Sequence, residues 1–153
     1  MIILDVDGVL TDGKIIFGSD GKEYRNFDAH DGFGIARARS LGVKFAVISG
    51  KSSDATKFRM ARLGIKELYQ NQMEKVKVYY KLKTKYKLDG DEVCFIGDDE
   101  FDLPLLNIVG FSAAPKTAVP GVLKAVDYVS TKEGGRGAVR EVVDMILSAK
   151  KLI

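Results

Sequence analysis

Cysteine is almost missing from this chain. Cys94 is the only one, so no disulfide closes within the chain and no multi-cysteine metal site can form. It sits in the apolar stretch Glu92-Val93-Cys94-Phe95-Ile96, where a buried core position is expected. Long hydrophobic runs are missing too, since none approaches the roughly 18 residues of a membrane-spanning helix. Met1 leads straight into an apolar strand without a signal-peptide pattern, so the expectation is a cytoplasmic protein with no membrane partner. Nor is there an excess of one charge. Lys and Arg number 24 against 21 Asp and Glu, a net +3, and the two signs alternate instead of forming a block. Nucleic acid is therefore not an expected partner, whereas a small anionic substrate suits the slight basic excess. Internal repeats and low-complexity linkers are also absent.

What is present is the composition of one globular domain spanning residues 1–153, 46% apolar and 29% charged. Short apolar runs alternate with helical patterns, the order of βαβ units and a doubly wound, Rossmann-like parallel sheet. Strands are predicted at 2–6, 43–49, near 68–69, and at 93–97, 110–113 and 128–129. Val139, Val142, Val143, Ile146 and Leu147 follow the stripe of a helix packed on a sheet. Helices near 32–41 and 53–63 each end at a glycine, Gly42 and Gly64, in the position of a left-handed cap. One segment breaks the rhythm: residues 14–27 read as two short strands about an Asp-Gly turn, a hairpin inserted after the first strand. It is expected to act as a flap or an oligomer contact, or to extend a sheet edge.

The chemistry is concentrated at strand ends. Ile2-Ile3-Leu4-Asp5-Val6-Asp7-Gly8 runs from a buried strand into two carboxylates, and ligands of open α/β sheets bind beyond such carboxyl ends. An Asp-Gly pair is also an ordinary turn, so the acids need company before they mean more. Ser49 ends the second strand, where its hydroxyl is placed to hold a phosphate oxygen. Lys75 begins a helix, where the dipole disfavours a cation unless an anion is near. The other lysines of that helix, from Lys77 to Lys87, read as a solvated face. Asp98, Asp99, Glu100 and Asp102 then follow another buried strand, four acids in five positions. Helix capping explains one or two of them, and a hard divalent cation relieves the repulsion of the rest.

Taken in order, Asp5 and Asp7, Ser49, Lys75, and Asp98 with Asp99 and Asp102 resemble the four motifs of the haloacid dehalogenase superfamily of phosphatases. The resemblance implies Asp5 as the nucleophile that forms an aspartyl-phosphate, and Asp7 as the acid that protonates the leaving oxygen and then deprotonates water. It implies Mg²⁺ held by Asp5, the backbone carbonyl of Asp7, and Asp98, with Asp99 and Asp102 orienting waters and Lys75. Ser49 and Lys75 would bind the transferring phosphoryl oxygens. About 40 residues separate Asp7 from Ser49 and about 25 separate Ser49 from Lys75, which leaves no room for a cap domain.

Further stretches narrow the resemblance. Asp5 to Gly13, Phe27 to Ile35, Leu68-Tyr69-Gln70 and Gly134 to Val142 together are similar to the 3-deoxy-D-manno-octulosonate 8-phosphate phosphatase family. That family is a capless homotetramer whose hairpins assemble at the centre, acting on a small sugar phosphate of lipopolysaccharide synthesis. Carried over by position, the substrate contacts would be Asp7, Asp28, Ala29, His30, Asp31, Gly32, Lys51, Arg59, Lys75 and Arg136. The chain departs from the family at His30 and Ala36, where arginine is common, although Arg37 is adjacent. His30 is the only histidine, and a carboxylate contact there would depend on its protonation. The ending Lys151-Leu152-Ile153 carries little of the tail found in some members. Three alternatives stand beside this reading. They are a phosphatase for a sialic-acid-type 9-phosphate, a phospho-accepting receiver-like module, and an idle partner-binding copy of the fold, which the filled catalytic positions disfavour.

Overall fold

A computed structural model describes all residues from Met1 to Ile153. In chain order, β1 (Ile2–Leu4) is followed by a hairpin of β2 (Ile16–Phe17) and β3 (Glu23–Tyr24), then α1 (Ala29–Ser40), β4 (Phe45–Ile48), α2 (Asp54–Arg62) and β5 (Glu67–Tyr69). There follow α3 (Lys75–Tyr86), β6 (Cys94–Ile96), α4 (Leu103–Leu106), β7 (Phe111–Ala114), α5 (Pro120–Ala125), β8 (Tyr128–Val129) and α6 (Ala138–Ala149). Short 3₁₀ turns occupy 90–92 and 100–102.

Six strands form one parallel sheet in the order β5-β4-β1-β6-β7-β8. With the hairpin set aside, the sheet strands numbered along the chain read 3-2-1-4-5-6, so the order reverses between β1 and β6. Such a switch point opens a crevice at the carboxyl ends of the strands. This order also sets aside the receiver-like alternative, whose doubly wound sheet follows the 2-1-3-4-5 pattern.

The alternation of side chains along β1 divides the core. Ile2 and Leu4 join Ile35, Met60, Val139, Val142 and Val143 on one face, while Ile3 joins Val78, Leu82, Phe95 and Leu105 on the other. Val139, Val142, Val143 and Leu147 of the α6 stripe are buried on the sheet as their spacing predicts, with Ile146 partly buried beside them. Gly42 and Gly64 adopt positive φ of +88° and +68°, which lets α1 and α2 turn sharply into the next strands. The strands are shorter than predicted, and α1 starts three residues earlier than its apolar pattern, because Asp28 caps it by accepting the N–H groups of His30 (2.6 Å) and Asp31 (3.0 Å).

Strands β2 and β3 pair only with each other, so the hairpin stands apart and does not extend the sheet edge. A bridge between Thr11 and Phe27 closes its base. No cap domain intervenes: the hairpin and α1 fill the span from β1 to β4, and α2 alone links β4 to β5.

Candidate active site

Asp5 follows β1 directly and faces the switch point, its N–H bonded to the carbonyl of Ile96 at 3.0 Å. Its carboxylate meets Lys75 Nζ at 2.5 Å, and the same ammonium lies 2.6 Å from Asp102 Oδ1. The Lys75 side chain is 1% exposed and lies between the rings of Phe95 and Phe101. Burial pushes the Asp5 carboxyl up to about 7, with Lys75 pulling it down and Asp102 pushing it further up. Burial pulls the Lys75 ammonium down, but Asp5 and Asp102 outweigh it and leave the group above its ordinary value. Asp98 is pushed up to about 8, first by burial and then by Asp5, Asp102 and Asp99.

Two carboxylates thus share one ammonium, with a third beside them. Asp5, Asp98 and Asp102 each offer an oxygen within 4.8 Å of the others. Asp102 is already engaged: Oδ2 accepts the N–H groups of Asp98 (3.0 Å) and Asp99 (3.4 Å), and Oδ1 faces Lys75. Asp98 Oδ1, by contrast, is buried with no partner. An unpartnered buried carboxylate oxygen beside a second buried acid is costly, and a hard cation satisfies both. The donor set therefore fits Mg²⁺ on Asp5 and Asp98, while Asp102 positions Lys75.

Glycines bring these acids together. Gly8 has φ +86°, and a Cβ there would lie 1.9 Å from Asp98 Oδ2. Behind the same loop, a Cβ on Gly134 would lie 1.7 Å from the Gly8 carbonyl oxygen. The 134–137 loop backs the acidic loop, and Gly135 N–H donates to the Val9 carbonyl at 2.9 Å.

Asp5, Asp7, Gly50, Lys51, Asp98, Asp99 and Phe101 line a cleft of about 170 Å³. At about 30 Å³ per water, such a space is on the scale of a phosphoryl group with an ion. A larger, mostly apolar cavity of about 310 Å³, lined in part by Met1, Val43, Cys94 and Met145, opens at the amino ends of the strands, away from the acids. Its lining has no comparable group of convergent acids, so the smaller cleft is the candidate site. At the cleft wall, Arg25 holds Asp7 by two hydrogen bonds, Nε to Oδ1 at 2.8 Å and Nη2 to Oδ2 at 3.2 Å.

The haloacid dehalogenase-like hydrolase family model matches residues 57–142. The 3-deoxy-D-manno-octulosonate 8-phosphate phosphatase of Escherichia coli K12 is 41% identical over 150 residues, covering 98% of this chain and 80% of the relative. This chain is a haloacid dehalogenase-like hydrolase of the 3-deoxy-D-manno-octulosonate 8-phosphate phosphatase family. The crystal structure of the Yersinia pestis phosphatase of that name superposes with a TM-score of 0.96 at 40% identity, covering 98% of this chain and 81% of that one. That of the Moraxella catarrhalis phosphatase, in complex with magnesium ion, phosphate ion and KDO, gives 0.94 at 36% identity, covering 97% and 85%.

Within this haloacid dehalogenase framework, the structure brings Asp5, Asp7, Lys75, Asp98 and Asp102 to one place and adds Lys51 at the cleft wall. Ser49 follows β4 directly and is buried, its hydroxyl accepting the Lys51 N–H at 3.3 Å. Asp99 lines the cleft but caps the following turn by accepting Glu100 N–H at 2.7 Å. Of these two acids, Asp102 is the one in contact with Lys75.

The other expected substrate contacts divide. Asp28 caps α1, Ala29 is exposed, and His30 is 82% exposed with Nδ1 3.6 Å from Asp28 Oδ1. Arg59 donates to the Asp28 carbonyl at 3.0 Å and stacks near Phe27, filling the space that a Cβ on Gly32 would need. The Asp31 carboxylate is buried and accepts the N–H groups of Gly137 (3.3 Å) and Arg140 (2.7 Å), so it caps α6. Arg136 is 62% exposed beside Glu133. Arg37 does not replace the arginine missing at Ala36, because Asp144 of α6 holds it at 2.5 Å. Arg25 was not predicted. The only signal for it was alternation: it follows exposed Tyr24 and therefore turns to the opposite side of the ribbon.

Proposed function

We propose that this chain is a Mg²⁺-dependent phosphatase that hydrolyses 3-deoxy-D-manno-octulosonate 8-phosphate to the free sugar acid and phosphate, acting in lipopolysaccharide sugar synthesis in the cytoplasm. The observation that carries the reading is the buried Asp5–Lys75 pair beside the unpartnered oxygen of Asp98, in a cleft sized for a phosphoryl group. The family relationship supplies the substrate, since the Moraxella relative was solved with magnesium, phosphate and KDO.

An Asp5 oxygen attacks phosphorus in line, and the bond from phosphorus to the sugar oxygen breaks. Asp7 passes a proton to that oxygen, so the sugar leaves as an alcohol. The product on the enzyme is an aspartyl-phosphate. Asp7, now ionised, takes a proton from water as the water attacks phosphorus, which releases phosphate and restores Asp5. Lys75 and the Ser49 hydroxyl hold the phosphoryl oxygens in both steps, and Asp102 fixes the Lys75 ammonium from the far side. Mg²⁺ held by Asp5, Asp98 and the Asp7 carbonyl, when bound, offsets the excess carboxylate charge and that of the phosphoryl group.

The sugar end would lie over Lys51, Arg59, the 28–32 segment and Arg136. Because the cleft is open, a neighbouring subunit is the natural remaining wall. Ile16, Phe17 and Tyr24 of the hairpin are exposed, and a lone two-stranded ribbon is marginal in water, which supports a homotetramer assembled through the hairpins of single-domain subunits. Phosphate release from a panel of sugar phosphates, with and without Mg²⁺, tests the reading. Preference for the octulosonate 8-phosphate is expected. A preferred sialic-acid-type 9-phosphate would move the substrate, and equal turnover of unrelated esters would overturn the assignment.

A further inference from the structure

The hairpin reaches back to the reaction through one side chain. Tyr24 is exposed on the ribbon, whereas the Arg25 side chain beside it is 1% exposed. Its guanidinium grips both oxygens of Asp7, at 2.8 and 3.2 Å, and its third nitrogen faces Glu23 Oε1 at 2.5 Å. Arg25 is the only side chain hydrogen-bonded to the Asp7 carboxylate. The pair also stands between two spaces. Asp7 lines the catalytic cleft, and Arg25 lines the adjoining depression of about 510 Å³ with Phe27, Phe58 and Arg59.

A planar fork on both oxygens fixes the plane of an ionised carboxylate, and when one bond opens the other still fixes which oxygen stays on the fork and which turns outward. Burying a guanidinium is costly unless carboxylates face it, and Glu23 alone would supply one such partner for the ribbon. The second partner is the residue whose direction matters to the reaction. We infer that Arg25 is a positioning residue: it holds the Asp7 carboxyl in line with the leaving oxygen and so makes acid catalysis depend on the seating of the hairpin. When Asp7 carries its proton, one bond of the fork opens and the other keeps the group on its axis. The proton still passes from Asp7 to the sugar oxygen, and Arg25 keeps its own.

This inference rests on Asp7 being the general acid, and leaving-group dependence separates the two. An alkyl ester such as the sugar phosphate needs its leaving oxygen protonated, whereas p-nitrophenyl phosphate leaves as a stabilised phenolate. The full chain with Mg²⁺ is assayed on both substrates as wild type, Asp7→Asn, Arg25→Met and Arg25→Lys, with oligomeric state and thermal unfolding followed alongside. Asp7→Asn should lower kcat on the sugar phosphate about a hundredfold more than on the aryl ester, within the usual range for acid catalysis. Arg25→Met should open a gap of about tenfold, and Arg25→Lys, which keeps a charge but loses the fork, one of about threefold. If Arg25→Met fails to fold, the lysine variant carries the test. A gap for Asp7→Asn with equal losses on both substrates for the Arg25 variants overturns the inference and leaves Asp7 as the acid. No gap for Asp7→Asn removes the acid itself, and the inference falls with it.

Discussion

Lys75 meets Asp5 at 2.5 Å at the carboxyl end of β1, and Lys85 meets Glu67 at the same 2.5 Å on the edge strand β5. The two carboxyl groups nevertheless move in opposite directions. Asp5 is pushed up to about 7, whereas Glu67 is held down at about 2. Burial raises both, but Glu67 also accepts hydrogen bonds from Lys85 and from the hydroxyls of Tyr69 and Tyr86, each at 2.6 Å, and these outweigh it. Around Glu67 one carboxylate has three donors. Around Lys75 two buried carboxylates share one ammonium with a third, Asp98, beside them, and the ammonium is sealed from water while Lys85 is 51% exposed. A surplus of donors makes a clasp; a surplus of buried acceptors makes a site that awaits a cation and a phosphoryl group.

The largest test of this contrast is Asp5→Asn. Phosphate release should fall by about three orders of magnitude or more, while thermal unfolding shows a folded protein, because Lys75 keeps Asp102. Glu67→Gln should leave turnover near wild type, and an equal loss in both variants would erase the distinction.

Lys75→Met comes next. Two buried carboxylates would lose their only cation, a destabilisation of about 3–5 kcal/mol in urea titrations of the metal-free protein. Lys85→Met removes an exposed cation from a carboxylate that keeps two tyrosine donors, and its midpoint should move much less.

Binding of Mg²⁺ should stabilise the wild type by about 2.7 kcal/mol at a hundredfold excess over its Kd, read as a rise in the unfolding midpoint. Asp98→Asn should abolish that rise. Retention of the full rise would remove Asp98 from the metal site.

The last test is the pH profile. Asp5 and Asp98 have folded values above the unfolded ones, so the metal-free native state binds more protons, and stability falls as pH rises from about 4 toward 7 or 8. Glu67 has a lowered folded value, so its support is complete above about 4.5 and fades as pH falls toward 2. Urea titrations from pH 3 to 8 should show the first slope reduced by Asp5→Asn and the acid limb flattened by Glu67→Gln.

Much of this was legible in the sequence, for identifiable reasons. Apolar runs bounded by glycines and acids marked the strands, and the acids at their ends marked the crevice. Four of the five residues of the α6 stripe are buried as their spacing required, and Ile146 is partly buried. The capping of α6 by Asp31 was not legible, because only the packing of α1 on α6 turns its carboxylate to the α6 N-terminus. Arg25 and Arg37 were opaque for the same reason: Asp7 and Asp144 are their partners across 18 and 107 residues.

By itself, then, the sequence determined which residue types end each strand and in what order, because periodicity and turn chemistry are local. The tertiary structure alone decided which charges meet. Lys75 and Asp5 are 70 residues apart, and it is the reversal of strand order between β1 and β6, with glycine at 8 and 134 admitting close approach, that seals one ammonium among three acids.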